Sequence, residues 1–149
     1  MKIGEICVRD VVYVEQEESL LTVADLMRHH HVGSVVIVRK VDEKLLPVGM
    51  LTDRDLVVEI LAPNINPESL LAQDIMSYDL VTVNEEREMW DVASLMQSKG
   101  IRRVPVVDSK GFLVGIFCMD DILEIVTAEL NGLVRLVNRE QRNEAVSRV

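Results

Sequence analysis

Apolar residues along this chain follow two spacings, which alternate from one end to the other. Short runs that are apolar at every position are typical of strands buried on both faces. These runs are residues 35–38, 48–51, 104–107 and 113–117. Before each pair of runs, a short extended piece (11–14 and 80–83) leads into a stretch with apolar residues at i, i+3, i+4 and i+7. That spacing predicts a helix, which Ser19 caps in the first case and Asn84 in the second.

The whole pattern occurs twice. A shift of 69 positions aligns residues 6–38 with 75–107, and 11 of the 33 positions are then identical. Chance would give roughly two identities for ordinary composition, so the chain contains two copies of one unit. Beyond residue 47 the best shift becomes 66, because the first copy is longer there, as expected of a hairpin turn. The predicted order is β-α-β-β-α, twice, which makes an α/β protein.

A helix closes each copy, from about Asp53 to Leu61 and from Met119 to about Arg142. The second helix outruns what one repeat needs, so it is predicted to pack on something further, such as a second chain. Gly132 inside it costs about 1 kcal/mol or marks a break. Two prolines mark a linker between the copies. The predicted parts are repeat 1 (5–62), the linker (63–73), repeat 2 (74–127) and a C-terminal helical extension (128–149).

Composition places the chain among soluble globular proteins. Of its 149 residues, 48% are hydrophobic and 28% are charged, and the net charge is −9. Such an acid surplus argues against nucleic acids and anionic membrane surfaces as partners, because both are bound through clustered Lys and Arg. Cys7 and Cys118 give neither a disulfide framework nor a metal-binding spacing. We therefore expect a reduced, cytoplasmic protein without a membrane-spanning segment.

Four stretches are specific enough to suggest a family. They are GMLTDRDL (49–56), DIMSYDLVTV (74–83), IRRVPVVD (101–108) and LVGIFCMDDIL (113–123). Together they strongly resemble the cystathionine-β-synthase (CBS) domain, over residues 5–127. Two such domains in tandem form a Bateman module. The resemblance implies two pseudo-symmetric repeats packed as one module, with the C-terminal helix added.

The resemblance also implies a ligand. CBS pairs bind adenosine-containing molecules (AMP, ADP, ATP, S-adenosylmethionine, NAD or cyclic dinucleotides) in clefts between the repeats, with AMP or ATP expected first here. The family motif, Ser or Thr followed three residues later by Asp, matches Thr52 and Asp55. A helix starting at Asp53 offers free N–H groups to phosphate. The Thr52 hydroxyl can donate to that phosphate, Arg54 can neutralise it, and the Asp55 carboxylate can accept from ribose hydroxyls.

Further site residues follow from the family analogy. The wall that holds the adenine is expected at Val12, Tyr13, Gly33, Ser34 and Val35. The second copy departs from the motif, because Cys118 replaces the hydroxyl residue although Asp121 is retained. Cysteine is a weak hydrogen-bond donor. Beside this second motif lie Arg102, Arg103, Val104 and Pro105, and the two arginines are predicted to serve either cleft.

Plainer interpretations stay open for several of these residues. Asp55 and Asp121 can be first-turn acids that the helix dipole favours, and Arg102 and Arg103 can be ordinary solvated charges. Residues 29–31 are all histidine, but consecutive helical side chains point about 100° apart and do not converge on one metal ion. The thiol at the end of the last strand is better explained by packing than by redox sensing.

The sequence contains no catalytic constellation: it has no glycine-rich phosphate loop, nucleophile elbow or paired metal-binding histidines. The prediction is a non-enzymatic regulatory sensor that needs no cofactor and binds an adenine nucleotide as its ligand. The resemblance implies a disc-like homodimer that acts on a separate protein effector. The alternative is a dimerising interaction scaffold whose clefts carry no physiological nucleotide.

Overall fold

The computed structural model describes residues 1–148, which form two small sheets, one for each repeat. In the first sheet the first strand runs parallel to the second, and the second pairs in antiparallel with the third. The elements of this part are α1 (Ile3–Ile6), β1 (Tyr13–Glu15), α2 (Leu20–His30), β2 (Ser34–Val41), β3 (Lys44–Thr52), α3 (Asp53–Leu56) and a π-helical segment (Val57–Leu61).

The second sheet repeats this topology. Its elements, after a 3-10 turn at Pro67–Ser69, are α4 (Ala72–Ile75), β4 (Val83–Asn84), α5 (Met89–Lys99), β5 (Arg103–Val107), β6 (Leu113–Cys118) and α6 (Met119–Ser147). The two β-α-β-β-α repeats are therefore confirmed. The extra residues of the first copy lengthen β2 and β3, which are joined by a tight turn at Asp42 and Glu43, both with positive φ.

One predicted cap is confirmed and the other is wrong. The Ser19 hydroxyl accepts the backbone N–H of Thr22 at the start of α2. At α5 the N-cap residue is Glu88, not Asn84. The Asn84 side chain instead accepts the Glu86 N–H at 2.9 Å, in the turn that leaves β4. Asn and Asp stabilise such turns as readily as they cap helices, and here the turn comes four residues before the helix.

The hydrophobic pattern did not predict the short helices α1 and α4. Each of them packs in the core of the repeat that it does not precede. α1 opens the chain, yet Ile3 is fully buried in the core of the second repeat. Its N–H donates to the Arg87 carbonyl at 2.9 Å. α4 opens the second repeat, yet Ala72 and Met76 lie in the core of the first. Each repeat is therefore completed by the segment that precedes the other.

The last helix is continuous and leaves the body of the protein. α6 passes through Gly132 without a break and extends beyond the predicted end near Arg142. Ile122, near its start, is buried, whereas every residue from 127 to 148 is exposed. Within residues 1–148, no helix combines the length and apolar character needed to cross a membrane.

Candidate ligand-binding cleft

Two equivalent strand-to-helix corners define the candidate site. The first corner is Thr52–Asp55, where β3 passes into α3. The Thr52 hydroxyl accepts the Asp55 N–H at 3.2 Å, and Asp55 Oδ2 accepts the Thr52 N–H at 2.8 Å. This reciprocal pair is a capping box, and it fixes the orientation of both side chains. It uses one carboxylate oxygen of Asp55 and leaves Oδ1 for another donor.

The first corner opens into a cleft of about 680 Å³ at the junction of the repeats. One wall comes from the end of β3 and the start of α3. The other wall comes from the second repeat, ahead of β4 and β5. The lining residues are Met50, Thr52, Asp53, Arg54, Asp55, Ser77, Asp79, Leu80, Val81, Gly100, Ile101, Arg102 and Arg103. Its volume suits one small organic molecule.

Charges of both signs line this cleft. The positive groups are Arg54, Arg102 and Arg103, and the negative groups are Asp53, Asp55 and Asp79. The guanidinium of Arg102 lies 3.5 Å from the Asp120 carboxylate. This ion pair is largely exposed, so it holds Arg102 only weakly. The cleft can therefore take an anion on its arginines and hydroxyl groups on its carboxylates.

The predicted adenine wall does not line this cleft. Of the residues assigned to the first corner, the structure brings Thr52, Arg54 and Asp55 together, and the two arginines of the second repeat join them. Val12, Tyr13, Gly33, Ser34 and Val35 are absent from its lining, and Ser34 and Val35 are buried in β2. Gly33 and Ser34 nevertheless lie beside the first corner, because the Gly33 carbonyl accepts the Asp53 N–H at 3.0 Å and Ser34 pairs with Thr52 across the sheet. Their assignment to an adenine wall therefore stays a prediction.

The packing of the repeats determines which segment lies opposite the first corner. The wall opposite the first corner consists of Leu80, Val81 and Ile101, which belong to the second repeat. Val81 is the exact repeat equivalent of Val12, at a shift of 69. The segment that lines this cleft is thus the equivalent, in the second copy, of the segment predicted as the adenine wall in the first. Internal repetition identifies equivalent segments, whereas it carries no signal for which corner each segment faces.

The second corner is Cys118–Asp121, where β6 passes into α6. Asp121 Oδ2 accepts the Cys118 N–H at 2.7 Å, as in the first corner. Burial raises the pKa of the Cys118 thiol, and the neighbouring Asp121 carboxylate raises it further. The thiol is therefore protonated at neutral pH. Neither Cys118 nor Asp121 lines the cleft described above, and Val104 and Pro105 are buried in β5.

The family model for the CBS domain matches residues 3–62 and 72–128, so both repeats are covered. The chain belongs to the CBS domain family, and it contains two CBS domains in tandem.

Relatives of the chain include proteins from archaea and bacteria. An uncharacterised protein of Methanopyrus kandleri is 43% identical over 84% of this chain, and the match covers 62% of that relative's length. Hypoxic response protein 1 of Mycobacterium tuberculosis is 34% identical, over 75% of this chain and 76% of its own. A crystal structure of Hypoxic Response Protein I with two coordinated zinc ions has a TM-score of 0.71 at 31% identity, covering 83% of this chain and 98% of that one.

A second solved structure contains ligands. It is the CBS domain pair of protein MJ0100 in complex with 5′-methylthioadenosine and S-adenosyl-L-methionine. Its TM-score is 0.72 at 25% identity, and the match covers 85% of this chain and 99% of that one. A CBS pair of this fold therefore binds adenosine-containing molecules.

Proposed function

We propose that this chain is a non-catalytic regulatory module that senses an adenosine-containing ligand, with AMP or ATP as the first candidates. The observation that carries the proposal is the cleft between the repeats. There the first corner, Thr52–Asp55, faces Arg102 and Arg103 across a space of about 680 Å³. The ligands of the MJ0100 domain pair, both adenosine derivatives, support the same ligand class.

Each part of the cleft has a role in this proposal. Asp55 Oδ1 accepts hydrogen bonds from the ribose hydroxyls, because Oδ2 is occupied by the capping box. Arg54, Arg102 and Arg103 take the phosphates. The side chains of Leu80, Val81 and Ile101 form the apolar surface for the adenine. We also propose a second cleft that binds the ligand more weakly. It is formed by the second corner and by the residues of the first repeat that were predicted as an adenine wall.

A thermal-shift titration tests the proposal. The purified protein is titrated with AMP, ADP, ATP, S-adenosylmethionine, NAD and cyclic di-AMP. A ligand at 100 times its dissociation constant adds about 2.7 kcal/mol to the free energy of unfolding, which raises the midpoint visibly. We expect one of the phosphate-bearing compounds to give the largest rise. No rise with any compound at millimolar concentration would contradict the proposal.

Two arginine variants test whether the arginines of the cleft bind the phosphate of the ligand. Arg102→Gln/Arg103→Gln removes two positive charges from the cleft, and Arg28→Gln, on the exposed face of α2, is the control. If the arginines take phosphate, the double variant loses the nucleotide-induced shift and the control keeps it. A double variant that binds the nucleotide as tightly as wild type would contradict this role.

A dimerising interaction scaffold is the second candidate function. Exposed apolar side chains favour it: Val57, Val58 and Leu61 follow the first corner, and Leu61 is 72% exposed. Neighbouring exposed apolar side chains of this kind mark protein-binding surfaces. We propose that these helical faces form a two-fold contact in a homodimer. Light scattering tests this, because a mass of one chain, 16.8 kDa, would rule the homodimer out.

A further inference from the structure

The outer part of α6 carries an apolar stripe that is exposed in this chain. Residues 127–148 are exposed without interruption. Within them, Leu130 is 56%, Leu133 is 60% and Val137 is 50% exposed. Most helical stability in proteins comes from packing of an apolar face, and an isolated helix of this length is marginal in water. The stripe therefore needs a partner.

The spacing of the stripe is that of a coiled-coil seam. Apolar residues occur at alternating steps of three and four residues, which is the heptad pattern. They are Leu123, Val126, Leu130, Leu133 and Val137, of which Val126 also packs against the core of the second repeat and the other four are exposed. Val134 and Leu136, which are also exposed, widen the seam on both sides. A surface of this kind fits another helix of the same length and spacing.

The residues that follow the seam decide the direction of that helix. The next two seam positions are occupied by Glu140 and Glu144. A parallel pair of identical helices would place each glutamate against its own copy, and like charges at seam positions repel. An antiparallel pair centred between Leu130 and Leu133 instead places each Glu140 beside the partner's Leu123, at the end of the seam, and far from the partner's Glu140.

Charge along α6 favours the same direction. From Met119 to Asn131 the helix has four acidic residues and no Lys or Arg, a net charge of −4. From Gly132 to Arg148 it has four arginines and two glutamates, a net charge of +2. An antiparallel pair lays the acidic part of one helix along the basic part of the other.

We propose that α6 pairs with α6 of a second copy of this chain, antiparallel, through the seam of Leu123, Val126, Leu130, Leu133 and Val137. In this register Leu130 lies against the partner's Leu133, and Val126 lies against the partner's Val137. The pairing is independent of nucleotide binding, because no residue of the seam lines the cleft. It is also separate from the homodimer contact proposed for the exposed faces after the first corner.

Matched substitutions in the full chain test the pairing. Leu130→Lys/Leu133→Lys puts two positive charges in the seam, and the control Asn131→Lys/Asn138→Lys puts the same charges on the opposite side of the helix. By light scattering at 100 µM, we expect the mass of the leucine variant to be half that of wild type and of the control. Equal masses for the two variants, or a wild type that is one chain of 16.8 kDa, would overturn the proposal.

A distance measurement tests the direction. A spin label is attached at Asn143→Cys in a Cys7→Ser/Cys118→Ser background. Antiparallel pairing sets the two labels about 35 Å apart along the helices, since residue 143 lies beside the partner's residue 120 and each residue rises about 1.5 Å. Parallel pairing would bring them to about one interhelical distance, roughly 10 Å, and would overturn the proposal. Nucleotide titration of the leucine variant keeps the two proposals separate, because binding should be unchanged whatever its mass.

Discussion

At the residue scale, the two carboxylate oxygens of Asp55 have different roles. Oδ2 holds the Thr52 N–H and so fixes the first corner, while Oδ1 is left for a ligand. The first-turn interpretation of this acid and its ligand-binding interpretation are therefore compatible. An experiment has to separate them, because any substitution disturbs the cap as well as the cleft. The chain offers a control in α4, where Asp74 Oδ2 accepts the Leu71 N–H at 2.7 Å outside the cleft.

We predict that Asp55→Asn weakens binding of the adenosine ligand by about 1.5–3 kcal/mol, roughly 10- to 100-fold, because hydrogen bonds to the charged carboxylate are lost. Asp74→Asn should lower stability to a similar extent and leave affinity unchanged. Isothermal titration calorimetry measures the affinities, and urea unfolding measures the stabilities. Equal affinity of Asp55→Asn and wild type would remove Asp55 from the site.

The sequence predicted the corner residues but not their surroundings. Thr52 and Asp55 could be found because a duplicated motif stands in the chain. Asp79 and Ile101 line the same cleft and were missed, although they belong to equivalent segments. Their place depends on how one repeat packs against the other. That packing is set by the shapes of two whole surfaces, for which a single sequence contains no local signal.

At the scale of elements, α2 and α5 end in the same backbone conformation but on different residue types. Both helices end on a residue in the left-handed conformation: His31, with φ 54°, and Gly100, with φ 66°. This conformation suits glycine, whereas a side chain costs energy there. No atom lies within 4 Å of a Cβ added at Gly100, so a substitution there would report the backbone cost alone.

We predict opposite effects of two substitutions at these ends. His31→Gly should raise the free energy of unfolding by about 0.5–1 kcal/mol, and Gly100→Ala should lower it by about 1 kcal/mol. Urea unfolding measures both. A destabilised His31→Gly variant would show that the side chain stabilises the helix end by more than the strain costs.

Long, strongly patterned elements were predictable and short ones were not. The strands β2, β3, β5 and β6 and the two stripes of α2 and α5 follow from their apolar spacing. α1 and α4 have four residues each, which is too short for any periodicity to appear. Asn84 shows a different limit, because its side chain is equally suited to a turn and to a cap.

At the scale of the whole molecule, the exchange of α1 and α4 joins the repeats into one unit. The isoleucine near the start of the chain is as deeply buried as any strand residue. We predict that Ile3→Ala lowers the free energy of unfolding by about 2–5 kcal/mol, the usual cost of removing a buried isoleucine. Ile65→Ala, in the exposed linker, should change it by less than about 0.5 kcal/mol.

Calorimetry of the Ile3→Ala variant also tests the exchange itself. Because Ile3 lies in the core of the second repeat, its loss should move a single transition of the whole chain to lower temperature. Two separate transitions, with only one of them shifted, would mean that the repeats unfold independently. A shift no larger than that of Ile65→Ala would mean that α1 is docked too weakly to contribute.

The exchanged helix also sets an order of events during synthesis. Residues 3–8 find their partners only when Arg87 and then Ile116 have been synthesised, since Ile3 bonds to one and Val8 pairs with the other. Until then the side chain of Ile3 lacks the core in which it packs. Contacts of such large sequence separation form late and slowly. The segment around α1 therefore docks only after β5 and β6 of the second repeat have been synthesised.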